Sequence, residues 1–154
     1  MDVKVNFMSV VRPLLKQYSI QPRKKLGQSF LDDRDIVRQI VSMADPCDDE
    51  TIVEIGAGLG IMTQELAKKA RRVIALEFDP HLVDVLKVRL KDHKCIEVIE
   101  IDVLKYDFAS ACREGKVKVV GNIPYNISSQ ILFHLLRFRR SISSMILMFQ
   151  KELA

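Results

Sequence analysis

The sequence predicts an α/β fold built on a doubly wound, mostly parallel sheet. Three observations lead there. From Thr51 onward short apolar runs alternate with helical patterns, the runs are apolar along their whole length, and the first of them ends in a cluster of glycines. Strands apolar on both faces belong in a sheet covered on both sides, which is where parallel strands occur. The 154 residues suit one domain able to bury a substantial core.

The lead comes first. Val10, Val11, Leu14, Leu15 and Tyr18 recur at helical spacing and predict a short amphipathic helix. A basic, glycine-punctuated stretch follows, Gln21-Pro22-Arg23-Lys24-Lys25-Leu26-Gly27-Gln28-Ser29-Phe30-Leu31. Residues 1–31 are read as this lead, and 32–154 as the α/β domain. Asp32 and Asp33 suit the cap of a helix that carries Ile36, Val37, Ile40, Val41 and Ala44 on one face.

Thr51–Ile55 is the first predicted strand, followed by a helix with Met62, Leu66, Ala67 and Ala70 inward. Residues 72–78 form the second. Asp79-Pro80 then opens a helix, Asp as cap and Pro at the first position, burying Leu82, Val83, Leu86 and Leu90. Residues 95–101 and 116–120 are the third and fourth strands. Residues 126–138 are a helix with Ile131, Leu132, Leu135 and Leu136 inward, and 144–149 a fifth, almost wholly apolar strand. Only five residues follow that strand, and an apolar edge strand is an aggregation hazard. The chain is therefore expected to stop inside its fold; the competing explanation is cover from another subunit.

Composition narrows the classes. Hydrophobic residues make up 48% and charged residues 29%, which excludes disordered and fibrous chains. The net charge of +4 is compatible with RNA but decides nothing alone. Cys47, Cys95 and Cys112 stand far apart without clustered His, so no metal site is expected, and they read as reduced, buried or half-buried spectators. The start lacks the pattern of a signal peptide, and no run is long enough to span a bilayer. A soluble, cytoplasmic monomer without a membrane partner is expected.

The chemistry begins at Glu54-Ile55-Gly56-Ala57-Gly58-Leu59-Gly60, between the first strand and its helix. Ligands of open α/β sheets bind beyond the carboxyl ends of the strands, where glycines let a ligand approach the backbone. The spacing is G-x-G-x-G, not the G-x-G-x-x-G of a pyrophosphate site, which argues against a nicotinamide dehydrogenase. Glu77 ends the second strand, 21 residues after Gly56, where a carboxylate accepts ribose hydroxyls. Asp102 ends the third and suits an exocyclic amine such as that of adenine.

Gly121-Asn122-Ile123-Pro124-Tyr125-Asn126 follows the fourth strand. Pro124 fixes φ and holds Ile123 extended, turning carbonyl oxygens toward the cleft. Asn122 adds a side-chain acceptor and Tyr125 an aromatic face. An aryl amine is a poor nucleophile because its lone pair is delocalised. Acceptors that hold its hydrogens favour a more tetrahedral nitrogen, and a stacked Tyr holds an extruded base flat.

In this order the motifs closely resemble the ribosomal RNA adenine N6-dimethyltransferases, from about Leu14 to the last residue. The resemblance implies a Rossmann-like, S-adenosyl-L-methionine-dependent methyltransferase fold. It also implies dimethylation of two adjacent adenosines near the 3′ end of small-subunit ribosomal RNA, with the small-subunit precursor as partner and a role in ribosome biogenesis. It carries Gln28, Ser29 and Leu31 to the first cofactor motif, with Ser29 where the family usually has Asn or His. Gly56 and Gly58 would line the cofactor, Glu77 its ribose and Asp102 its adenine. Asn122 and Pro124 would hold the target amine, Asn122 also bordering the cofactor, and Tyr125 would stack on the target base. The Pro-Arg-Lys-Lys-Leu-Gly lead and Phe133-His134-Leu135-Leu136 resemble the small-subunit branch more than the erythromycin-resistance methylases of large-subunit RNA. Family members continue past Ala154 with the rest of the sheet and a helical RNA-contacting domain. A catalytically idle RNA-binding or assembly module is the rival from another class. Arg23-Lys24-Lys25 and Arg137, Arg139 and Arg140 are candidate phosphate contacts or ordinary solvated surface.

Overall fold

A computed structural model describes residues 9–149. The first eight and last five residues, on which the readings of both chain ends fall, lie outside the described residues. Five strands form one parallel sheet in the order β3-β2-β1-β4-β5: β1 Thr51–Ile55, β2 Arg72–Glu77, β3 Ile96–Glu100, β4 Val117–Asn122 and β5 Ile142–Met148. The helices are α1 Val11–Gln17, α2 Arg34–Ala44, α3 Ile61–Ala67, α4 Pro80–Arg89 and α5 Ser128–Arg137. The α/β, doubly wound expectation holds, and strand order reverses between β1 and β4.

Strand alternation sends successive side chains to opposite faces. Ile52, Val73 and Val120 meet Val37, Ile40 and Val41 of α2 and Met62 and Leu66 of α3. Ala75 shares that face and meets Leu86 and Leu90 at the end of α4. Val53, Ile74, Leu76 and Val119 face the other way, onto Ile131 and Leu135 of α5 and Phe108. Phe108 is fully buried, as are Leu66 and Leu82. Burying each contributes roughly 1.5–3 kcal/mol.

Caps set the helix starts. The Asp33 carboxylate accepts from the N–H groups of Asp35 and Ile36, and Asp79 accepts from His81 with Pro80 at the first position of α4. Asp32 caps a different helix from the one expected. Its carboxylate accepts from Val10 and Val11 N–H and from Ser9 Oγ, tying the start of α1 to the chain 21 to 23 residues on. Those bonds hold its pKa below the usual carboxylate range, the Ser9 hydroxyl foremost.

Several expectations need correction. β4 runs to Asn122, because its ladder with β5 continues to the Asn122–Met148 pair. The segment expected to start α5 at 126 forms a 3-10 turn, Tyr125–Ile127, so the helix starts at Ser128. Its buried stripe is Ser128, Ile131 and Leu135, while Leu132 (37% exposed) and Leu136 (42%) face outward beside Phe133. Ile36 likewise lies on the outer side of α2, and Cys47 is exposed rather than buried. β5, by contrast, lies where the sequence leads one to expect it: apolar enough for the interior, it is an edge strand of the sheet among the described residues, with Met145 partly exposed. No described helix is long and apolar enough to cross a membrane, and no group of His, Cys, Asp or Glu among the described residues is arranged to hold a metal.

Candidate active site

The carboxyl ends of β1, β2 and β4 open into a cleft of about 200 Å3. Seven predicted site residues line it together: Gln28, Ser29, Leu31, Gly56, Gly58, Glu77 and Asn122. An adjoining cleft of about 260 Å3 shares Gln28 and Glu77 with it and adds Asp102. Together they reach the roughly 300–1,000 Å3 typical of small-molecule sites. Pro124 and Tyr125 line neither cleft. Pro124 is half-buried and Tyr125 stands 53% exposed.

The glycine loop is held from below. Gly56 and Ala57 N–H donate to the Leu76 carbonyl, at 2.9 and 3.1 Å. Gly56 has φ +70°, and a Cβ there would stand 3.5 Å from the Asn122 carbonyl, filling the crevice between the loop and the Asn-Ile-Pro-Tyr turn. The left-handed φ itself calls for glycine there, and the crevice is bordered by an acceptor carboxylate and apolar walls, the kinds of group that would suit a nucleoside-bearing cofactor.

Glu77 organises the loop. Its Oε2 accepts from Gly58 N–H at 2.9 Å, and its Oε1 accepts from Phe78 and Asp79 N–H at 2.8 and 3.0 Å. Burial pushes its pKa up, opposed by those three backbone donors. A carboxylate offers about four acceptor positions. Three are filled, which leaves room for one ribose hydroxyl at full strength where the sequence suggested two. Glu77→Gln is expected to weaken binding of S-adenosylmethionine about tenfold, since a charge-assisted bond becomes neutral and a loop donor loses its acceptor. Isothermal titration of the full chain checks this; an unchanged dissociation constant rejects the ribose assignment.

Asp102 caps a 3-10 turn, Val103–Lys105, by accepting from Leu104 N–H at 3.0 Å with Oδ1. Oδ2 is not used in that bond. Around it Leu26, Phe78, Val103, Leu104 and Ile127 give apolar walls suited to a flat aromatic ring. The first cleft is walled by Phe30, Leu82, Ile123, Met148 and Phe149. Sequence reading missed these residues as site components because apolar side chains near a strand end look like core.

The lead is laced to the site. Asn122 Nδ2 donates to the Ser29 carbonyl at 2.9 Å, which leaves Oδ1 as its acceptor. Gln28 has both ends of its amide engaged: Nε2 donates to Asp79 at 2.8 Å, and Oε1 accepts from Arg23 N–H at 2.8 Å. Its side chain therefore anchors the lead on the cap of α4. Asn126, also missed, donates to the Lys25 carbonyl at 3.5 Å. Gly27 sits between these ties at φ +63°, where a Cβ would lie 2.9 Å from Asn126 Oδ1 and 3.3 Å from Pro124 Cβ. The Asn126 amide can swing away, but the left-handed backbone cannot relax. Gly27→Ala should therefore cost about 1–2 kcal/mol of stability, read as a lower denaturation midpoint.

In the sequence Glu54 shows only as part of the loop motif. It is fully buried beneath the loop, and Thr63 Oγ1 donates to it. Burial pushes its pKa up to about 8, with Glu77 adding to the rise and Thr63 opposing it.

The sequence model of the ribosomal RNA adenine dimethylase family matches residues 20–154, a span that includes every residue lining the two clefts. The chain belongs to this family. Ribosomal RNA small subunit methyltransferase A of Syntrophus aciditrophicus is 51% identical over 150 residues, covering 96% of this chain and 54% of that protein. The protein of the same name from Hahella chejuensis is 43% identical over 133 residues, covering 86% and 49%. The chain spans about half the length of the curated relatives it matches. Among solved structures, a dimethyladenosine transferase from Plasmodium falciparum is 31% identical with a TM-score of 0.71, over 81% of this chain and 44% of that one. The 23S rRNA methyltransferase ErmE is 32% identical with the same TM-score, over 81% and 49%. As an adenine dimethylase family member, this chain keeps the Rossmann-like methyltransferase fold of those neighbours.

Proposed function

We propose that this chain carries the cofactor and target-base sites of an S-adenosylmethionine-dependent enzyme that dimethylates adenine N6 in small-subunit ribosomal RNA, on two adjacent adenosines near its 3′ end, during ribosome biogenesis. The carrying observation is Asn122. Its Nδ2 is committed to the Ser29 carbonyl, so Oδ1 is left as the acceptor in the cleft that Gly56 and Glu77 line. The small-subunit choice rests on the names of the 51% and 43% identical relatives, since the two solved neighbours, one named for 23S RNA, match the fold equally well.

S-adenosylmethionine, when bound, supplies an electrophilic methyl group on its sulfonium. Glu77 binds its ribose, and Asp102, through Oδ2, its adenine amine. Asn122 Oδ1 accepts one hydrogen of the target N6 and turns the nitrogen lone pair toward the cleft. Tyr125, exposed at the turn beside it, offers its ring face to the extruded base. Phe30, Ile123 and Met148 keep water from the reacting atoms. Positioning and desolvation supply most of the rate, and no covalent enzyme intermediate is needed. In each transfer the N6–methyl bond would form as the sulfur–methyl bond breaks, S-adenosylhomocysteine would leave and N6 would release a proton to solvent; the monomethylated base would then turn its remaining N–H toward Asn122 for the second.

The test is methyl incorporation from labelled S-adenosylmethionine by the full chain into unmodified small-subunit particles and, in parallel, unmodified large-subunit RNA, with the products mapped. N6,N6-dimethyladenosine at adjacent positions near the 3′ end is the expected result. Label confined to large-subunit RNA moves the protein to the resistance branch. Cofactor binding without transfer to either RNA leaves the idle-module reading.

A further inference from the structure

A separate cavity of about 150 Å3 opens between α2, α3 and α4, lined by Arg34, Arg38, Gln64, Glu65 and Arg89 among others. Three guanidinium groups border it, and one is anomalous. Arg89 Nη1 is buried without a hydrogen-bond partner among the described residues. Burial draws its pKa down, as expected for a cation lacking an anion. An unmade donor of this kind is costly, and native structures retain few of them. The nearby carboxylate does not serve it: Glu65 Oε1 lies 2.7 Å from Lys68 Nζ. Arg38 has one exposed partner, Asp35 at 3.2 Å, and Arg34 has none among the described residues. The other basic cavity, bordered by Arg71, Arg72, Lys94 and Arg113, differs because Glu114 and Glu97 already neutralise both of its first two arginines.

We propose that Arg89, with Arg34 and Arg38, forms an oxyanion site for a single phosphate group, separate from the methyl-transfer cleft. The planar guanidinium fork matches phosphate oxygens, and the Gln64 amide adds a further donor. The cavity is too small for a nucleoside and large enough for a tetrahedral anion. Arg34 opens α2 three residues beyond Leu31 in the cleft wall. The phosphate comes either from an RNA backbone, a source that rests on the function proposed above, or from a free phosphate group, which does not.

Inorganic phosphate is titrated into the full chain at constant ionic strength, with Arg89→Gln and the exposed Arg34→Gln alongside. Either variant should bind phosphate about tenfold or more weakly. Should Arg89→Gln fail to fold, Arg34→Gln still reads the site. In the second arm, affinity for a small-subunit 3′-end RNA fragment is followed against salt. Loss of one phosphate contact lowers the slope of log affinity against log salt by roughly 0.7–0.9. A changed slope assigns an RNA phosphodiester; a phosphate effect with an unchanged slope assigns free phosphate. Wild type and variants behaving alike in both arms overturns the site. S-adenosylmethionine affinity, measured in parallel, stays unchanged and reports the main cleft independently.

Discussion

Asn122→Ala in the full chain should reduce methyl transfer by about 10²–10³-fold, the scale seen when one preorganised polar contact to a reacting centre is removed. Affinity for S-adenosylmethionine should change much less. The split arises because the two ends of the Asn122 amide do different things. Nδ2 holds the Ser29 carbonyl, which steadies one wall of the cofactor cleft, while Oδ1 is the acceptor proposed for the target amine. Alanine removes both. The Ser29 segment keeps its other ties, through Gln28 to Asp79 and through Asn126 to Lys25, so the wall stays in place. Asn122→Asp sharpens the test. It retains an acceptor for the amine but sets a carboxylate oxygen against the Ser29 carbonyl, and two acceptors repel. Asp should therefore disturb cofactor binding more than Ala does. Single-turnover transfer with saturating cofactor, together with equilibrium binding, separates the two effects. Equal losses of binding and transfer in Asn122→Ala would make Asn122 an anchor of the lead and nothing more.

What the sequence disclosed divides along physical lines. The glycine loop, Glu77 and Asp79-Pro80 were legible because each is a local device: glycines that tolerate positive φ, an acid at a strand end, a cap followed by Pro. Chain order alone then carried them to one sheet edge. Contacts between distant segments were not legible. Asn122 reaches a carbonyl 93 residues away and Gln28 a carboxylate 51 away, and no periodicity announces either. The error in α5 has a similar origin. Starting the helix at 126 counts the 3-10 turn as helical and rotates the apolar stripe onto Leu132 and Leu136, whereas the packed line is Ser128, Ile131 and Leu135. The role of Asp32 as the cap of α1 is not legible from the sequence, because its partners, Ser9 to Val11, precede it by more than 20 residues.

Glu54→Gln should stabilise the protein at alkaline pH and leave it nearly unchanged near pH 4. Glu54 lies within the buried run of β1, fully enclosed, with the Thr63 hydroxyl donating to it. Enclosure disfavours the charged form, so the folded pKa rises to about 8 from the usual 4.5. Between those values the folded state keeps a proton that the unfolded chain has lost. Stability therefore falls as pH rises through that window, by up to about 1.4 kcal/mol per unit, and levels off above pH 8. The accumulated loss is on the order of 5 kcal/mol. Gln has the same shape and cannot ionise, so its stability curve lacks this slope. Glu77, also shifted upward by burial, leaves a slope of the same sign in the variant. Thr63→Val pushes the opposite way: it removes the donor that favours the carboxylate, so the folded pKa rises further and the fall in stability extends to higher pH. Chemical denaturation of all three proteins from pH 4 to 9 gives the comparison. Parallel curves for wild type and Glu54→Gln would mean that Glu54 stays ionised under the loop, with a counter-charge nearer than any of the described residues supplies.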